Sequence, residues 1–250
     1  MKPIRITAVK YYNTLPFIYG LTQSGLLTNY ELSLDVPSEC ARKLIAGEAD
    51  LGLIPVGALH SIPDYRVVSD LCIGAISNVQ SVILLSDSKL GEIRKIYLDS
   101  DSRTSVNLVK ILAREFWKID VEWINSSNML KPLEAGEAMV AIGDKTFNLR
   151  LKYLNCWDLA GEWIKFTGLP FVFAVWAAMH ELPADFLKQF NAALQWGVDH
   201  KQESVSIATN LIIREEVLHF YLEKAIHYPL DDKKRMGMEL FLTKQKEISR

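Results

Sequence analysis

The sequence predicts an α/β protein of two similar lobes with a central cleft, its C-terminal helices packed on lobe one. Three observations carry this. Strand-like and helical segments alternate through the first 180 residues, the pattern of parallel strands joined by crossover helices. A helix–glycine–strand unit recurs: Leu44-Ile45-Ala46-Gly47-Glu48-Ala49 is echoed 89 residues later by Leu133-Glu134-Ala135-Gly136-Glu137-Ala138. At an offset of 90, the opening strand and loop Ile6–Pro16 align with Ile96–Val106, placing Thr14 opposite Thr104.

The elements follow in order. Ile4–Val9, Leu32–Val36, Asp50–Ile54 and Val67–Cys72 read as strands of the first lobe, with helices at Leu15–Leu21 and Ser38–Ala46. Ser81–Leu85, Lys95–Asp99, Val121–Ile124, Met139–Ile142 and Phe171–Ala178 are the later strands. Arg103–Phe116 is the clearest helix, with Val106, Val109, Leu112, Ala113 and Phe116 at helical spacing behind a candidate cap at Ser102. From Pro183 onward the pattern is helical only. No Pro/Gly/Ser-rich linker parts the lobes, so strands near 81–86 and 171–179 are the expected crossovers. Lobe one is then 1–86 plus 177–250, and lobe two 87–176.

Composition narrows the function. The chain has 250 residues, 28 Lys plus Arg against 30 Asp plus Glu, and a formal charge of −2. That balance gives no footprint for nucleic acid or an anionic membrane. The longest uncharged apolar run, Leu169–Met179, is eleven residues, whereas a spanning helix needs about 20. The chain opens directly into a strand without a leader pattern, and its three scattered cysteines show no CxxC pair, so the expected location is cytoplasmic. There is no GxGxxG, P-loop or GxSxG, and the five histidines lack metal-ligand spacing, so neither cofactor nor metal is expected.

Ligands of open α/β sheets sit at the carboxyl ends of strands. That rule selects Lys10–Thr14 and Pro55-Val56 in lobe one, and Ser100–Ser105 and Gly143-Asp144 in lobe two. Arg103, Thr104 and Ser105 open a helix and suit a carboxylate or phosphate, although Ser102 equally suits a plain helix cap. Asn13 offers both donor and acceptor, and it also suits a turn. Ser81 stands where a crossover leaves the first lobe, and Phe173 lies on the returning strand.

Four segments, taken together, resemble the chorismate dehydratase family of the futalosine route to menaquinone. They are Ala8-Val9-Lys10-Tyr11-Tyr12-Asn13-Thr14-Leu15-Pro16, Gly47-Glu48-Ala49-Asp50-Leu51-Gly52-Leu53-Ile54-Pro55, Ser102-Arg103-Thr104-Ser105 and Thr167-Gly168-Leu169-Pro170-Phe171-Val172-Phe173-Ala174-Val175-Trp176. Lys10 and Tyr12 depart from the small and aliphatic residues commoner there. The resemblance implies a type II periplasmic-binding-protein fold and a hydro-lyase converting chorismate to 3-[(1-carboxyvinyl)oxy]benzoate and water. It implies Asn13 and Ser81 as catalytic residues, Asn13 bonding the leaving hydroxyl. Tyr11, Thr14, Pro55, Arg103, Thr104, Ser105, Gly143, Asp144 and Phe173 are the expected substrate contacts. The base is either Asp144 or, preferably, the substrate's own enolpyruvyl carboxylate. No nucleic-acid or membrane partner is expected, and the chain would act as a monomer or homodimer. The alternatives are a 1,4-dihydroxy-6-naphthoate synthase-like enzyme and a non-catalytic small-carboxylate binding protein.

Overall fold

The computed structural model describes residues 2–99, 102–126 and 132–248. The first stretch runs β1 (Ile4–Val9), α1 (Leu15–Gln23), β2 (Tyr30–Asp35), α2 (Pro37–Ile45), β3 (Leu51–Pro55) and β4 (Arg66–Ala75). Next come β5 (Val82–Ser86), β6 (Lys95–Asp99), α3 (Arg103–Ile111), β7 (Glu122–Ser126), β8 (Glu137–Ile142), α4 (Thr146–Leu149), β9 (Asn155–Asp158) and α5 (Leu159–Thr167). The chain returns through β10 (Phe171–Ala178), α6 (Ala184–Asp199), α7 (Glu215–Phe220), β11 (His227–Pro229) and α8 (Asp232–Ile248).

Two sheets share one plan. The first has the order β11-β4-β10-β3-β1-β2 and the second β7-β6-β8-β5-β9. In each, three parallel strands are followed by an antiparallel one: β10 beside β3, and β5 beside β8. Gly47 and Gly136 both have positive φ, as the sequence echo suggests, but the strands after them are not in equivalent register. Ile6 faces Leu51 whereas Ile96 faces Ala138, so the repeat runs 90 residues between β1 and β6 but 87 between β3 and β8. The echoed Gly-Glu-Ala is therefore two residues out of structural register.

The crossovers differ from expectation. β5 and β10 are wholly buried and hydrogen-bonded on both sides, β5 inside the second sheet and β10 inside the first. Sheet membership thus assigns 82–86 to the second lobe and 171–176 to the first, and the chain crosses at 76–81 and 168–170. A strand without an exposed face cannot serve as a solvated hinge; its continuous apolar sequence, Phe171-Val172-Phe173-Ala174-Val175-Trp176, follows from cover on both faces. The first crossing is pinned by Asp158, whose carboxylate accepts from the Val79 and Gln80 amides at 3.0 and 2.7 Å and caps α5 through the Gly161 amide at 3.1 Å.

Other differences are local. The Arg103–Phe116 helix is regular only to Ile111 and continues as a wider π-type turn over Leu112–Trp117. β9, β11, α4 and α5 are additions to the expected elements, β11 interrupting the all-helical C-terminal stretch. α6 packs on α1, with Tyr19 and Trp196 stacked at 5.4 Å. α8 touches both lobes: Lys244 pairs with Glu115 of the second, while Gln245 Nε2 donates to the Gly57 carbonyl of the first at 2.8 Å. An edge-to-face group of Trp163, Phe171, Phe173 and Phe241 joins α5, β10 and α8, and its Phe173 end opens onto the cleft.

Candidate active site

A cavity lies between the sheets at the tips of the central strands, with about 520 Å³ of empty space counting the part open to solvent. Of the expected residues, Tyr11, Asn13, Pro55, Ser81, Thr104, Ser105, Gly143 and Phe173 line it. Val9, Pro37, Ile73, Val82, Ser102, Ile142 and Ala174 complete the wall. Val82 and Ile142 could have been read from their places beside Ser81 and Gly143; Pro37 and Ile73 carried no local signal. Ser100 and Asp101, in the expected anion loop, lie outside the described residues.

Three expected contacts stand elsewhere. Arg103 is exposed and donates to Ser61 Oγ at 3.1 Å, because the first helical position beyond the cap turns outward. Thr14 is buried behind the wall, its hydroxyl donating to Asn13 Oδ1 at 3.2 Å. Asp144 lies off the lining and accepts the Tyr12 N–H at 3.1 Å. Burial raises the Asp144 pKa to about 6, opposed by that amide bond. Thr104 lines the cavity, but its hydroxyl is engaged: it accepts from the Gly57 amide at 3.0 Å and donates to the Phe173 carbonyl at 3.3 Å.

These contacts close the two lobes on each other. Tyr12–Asp144, Gly57–Thr104 and Ser61–Arg103 each run from the first lobe to the second. Glycine is required at the tightest approach: a Cβ on Gly57 would lie 2.7 Å from the Thr104 backbone. At Gly143, where φ is +69, a Cβ would lie 2.7 Å from the Tyr11 ring.

Polar groups face the enclosed space from both lobes. Ser102 caps α3 by accepting the Ser105 amide at 3.2 Å and donates to Ser105 Oγ at 2.8 Å, which leaves the Ser105 hydrogen to donate elsewhere. With Asn13 Oδ1 turned to Thr14, Nδ2 is the donating end of that amide. Two residues that local sequence patterns did not single out join the site from the C-terminal segment. The Tyr221 hydroxyl donates to Ser81 Oγ at 2.7 Å, and the Tyr228 hydroxyl to the Asn13 carbonyl at 3.1 Å. Among the described residues, Tyr11 is the one titratable side chain of the lining, and no group of three His, Cys, Asp or Glu could hold a metal.

Paired sheets closed on a cavity between their strand tips define a two-lobed binding-protein architecture. A Candida albicans protein described as exhibiting the generic periplasmic binding protein fold matches with a TM-score of 0.73 at 13% identity, covering 100% of this chain and 92% of that one. The family model for menaquinone biosynthesis matches residues 4–247, and the chain belongs to that family. Two curated relatives are named chorismate dehydratase. The Thermus thermophilus protein is 26% identical, over 96% of this chain and 94% of its own length. The Campylobacter jejuni protein is 24% identical, over 96% of this chain and 97% of its own.

Proposed function

We propose that the protein is a chorismate dehydratase, forming 3-[(1-carboxyvinyl)oxy]benzoate and water. Family membership and the two similarly named relatives support the reaction. The observation that carries the mechanism is a largely apolar cavity whose few polar groups, Asn13, Ser81 and Ser105 among them, are neutral, without a cation or a carboxylate on its described lining. A carboxylate held by neutral hydrogen bonds keeps more of its basicity than one clamped by Arg or Lys. The substrate's enolpyruvyl carboxylate is therefore the base. It takes the C3 proton, the C3–H electrons form the ring double bond as the C4–O bond breaks, and the departing hydroxide leaves as water with that proton.

The protein supplies orientation and charge stabilisation. Asn13 Nδ2 and the Ser81 hydroxyl bond the leaving oxygen. Ser105 and the first-turn amides of α3 hold the ring carboxylate, through which charge from C3 delocalises. The apolar wall of Val82, Ile142 and Phe173 excludes water once the lobes close. In this reading Thr104 holds the lobes together, and its hydroxyl does not bind substrate. No described helix is long and apolar enough to cross a membrane. The reading includes a cytoplasmic location, supported by the free thiols of Cys40, Cys72 and Cys156, and action as a monomer or homodimer.

Purified protein incubated with chorismate, and separately with the cyclic futalosine-derived intermediate, tests the reading. The benzoate product from chorismate alone is the expected result. Turnover of the second substrate alone would make the protein a naphthoate synthase, and tight binding of chorismate without product would make it a binding protein.

A further inference from the structure

We propose, building on the dehydration reading above, that Tyr221 is a positioning residue whose hydroxyl sets the direction in which Ser81 donates into the cavity. The residue is remote in sequence, 140 positions from Ser81, and follows α7 in a wider helical turn. It is 1% exposed and does not line the cavity, so it acts through its neighbours. The hydroxyl donates to Ser81 Oγ at 2.7 Å, and the nearby Asn13 side chain acts to lower the phenol's pKa against the effect of burial.

The direction follows from donor counting. Thr14 donates to Asn13 Oδ1, so the amide end left for another partner is Nδ2, a donor. The phenol gives its own hydrogen to Ser81. Ser81 Oγ, already accepting, is left with its hydrogen to donate, and it lines the cavity. The Asn13 amide likewise has its Nδ2 hydrogens to offer the leaving oxygen. Both groups then face that oxygen as donors, the arrangement departure of hydroxide requires. Burial raises the phenol's pKa, so it stays neutral and donating across the working range. Phe147 of the second lobe meets the ring edge-on at 5.0 Å, so the phenol is held from that side too. Tyr221 exchanges no proton with substrate, and the atoms of the reaction balance without it.

The test is a kinetic cycle of Tyr221→Phe, Ser81→Ala and the double variant on chorismate. Removing the hydroxyl while keeping the ring lowers kcat about 30-fold, with KM within about threefold of wild type. Because Tyr221 acts through Ser81, the double variant is no slower than Ser81→Ala alone. Incorporating 3-fluorotyrosine at position 221, which keeps ring and hydroxyl, holds kcat near wild type. A Tyr221→Phe enzyme with wild-type kcat, independent multiplicative losses in the double variant, or a fluorotyrosine enzyme as slow as the Phe variant each overturns the role. A wild-type enzyme that leaves chorismate unchanged overturns the reaction and the role together; the other three outcomes leave the reaction standing.

Discussion

Replacing Asp144 by Asn separates two routes for the C3 proton and also tests the electrostatics of the closed lobes. Burial moves the carboxyl from its ordinary 3.8 to about 6. At 1.36 kcal/mol per pH unit, that rise favours the protonated form by about 3 kcal/mol. The sign follows from proton counts. Between about pH 4 and pH 6 the native state binds more protons than the unfolded chain, so stability falls as pH rises through that window and stays lower above it. Asn keeps an Oδ1 acceptor for the Tyr12 amide at no charge. The variant should therefore be more stable than wild type at pH 7.5 by about 1–3 kcal/mol, a Tm gain of about 3–10 °C, with the difference shrinking as pH falls toward about 4. Melting followed by circular dichroism from pH 4 to pH 8, beside kcat on chorismate, reads both effects. A Tm difference independent of pH would refute the electrostatic reasoning. Activity within about tenfold of wild type agrees with a base supplied by substrate, whereas a loss of about 10³-fold or more would make Asp144 the base.

Two further substitutions probe chemistry and closure. Asn13→Ala removes the donor aimed at the leaving oxygen, and kcat should fall about 10³-fold with Tm near wild type; single-turnover kinetics shows whether chemistry or binding was lost. Gly57→Ala places a methyl 2.7 Å from the Thr104 backbone, and all three nearest atoms belong to the other lobe. It should leave the open form folded but lower kcat/KM about 100-fold, with small-angle scattering showing less compaction on adding substrate than in wild type.

The sequence was most legible where geometry is local. Strand tips are found by periodicity, so the loops at Tyr11–Asn13, Pro55, Thr104-Ser105 and Gly143 were within reach, and all of them line the cavity. Periodicity does not say where a side chain points: Arg103, just after the Ser102 cap, reaches Ser61, and Asp144, in the turn before α4, accepts the Tyr12 amide off the lining. Chemistry legible in a side chain also does not show its prior engagements. Thr104 has a hydroxyl at the right place, but a backbone amide from the other lobe has taken it. An apolar run has the same appearance whether it links two sheets or completes one; the pairing of β5 and β10 decides it. Tyr221 and Tyr228 lie in a helical stretch whose pattern reports burial, and contact with Ser81 and Asn13 across so many residues leaves no local trace.

The most direct test of the account is turnover of chorismate carrying deuterium at C3, with product identified by mass and the rate compared with unlabelled substrate. The expected product is a benzoate that has lost water and the label, formed more slowly from the deuterated substrate when the chemical step is isolated. Labelled chorismate recovered unchanged from a saturated enzyme, or a product that retains the deuterium, would contradict it.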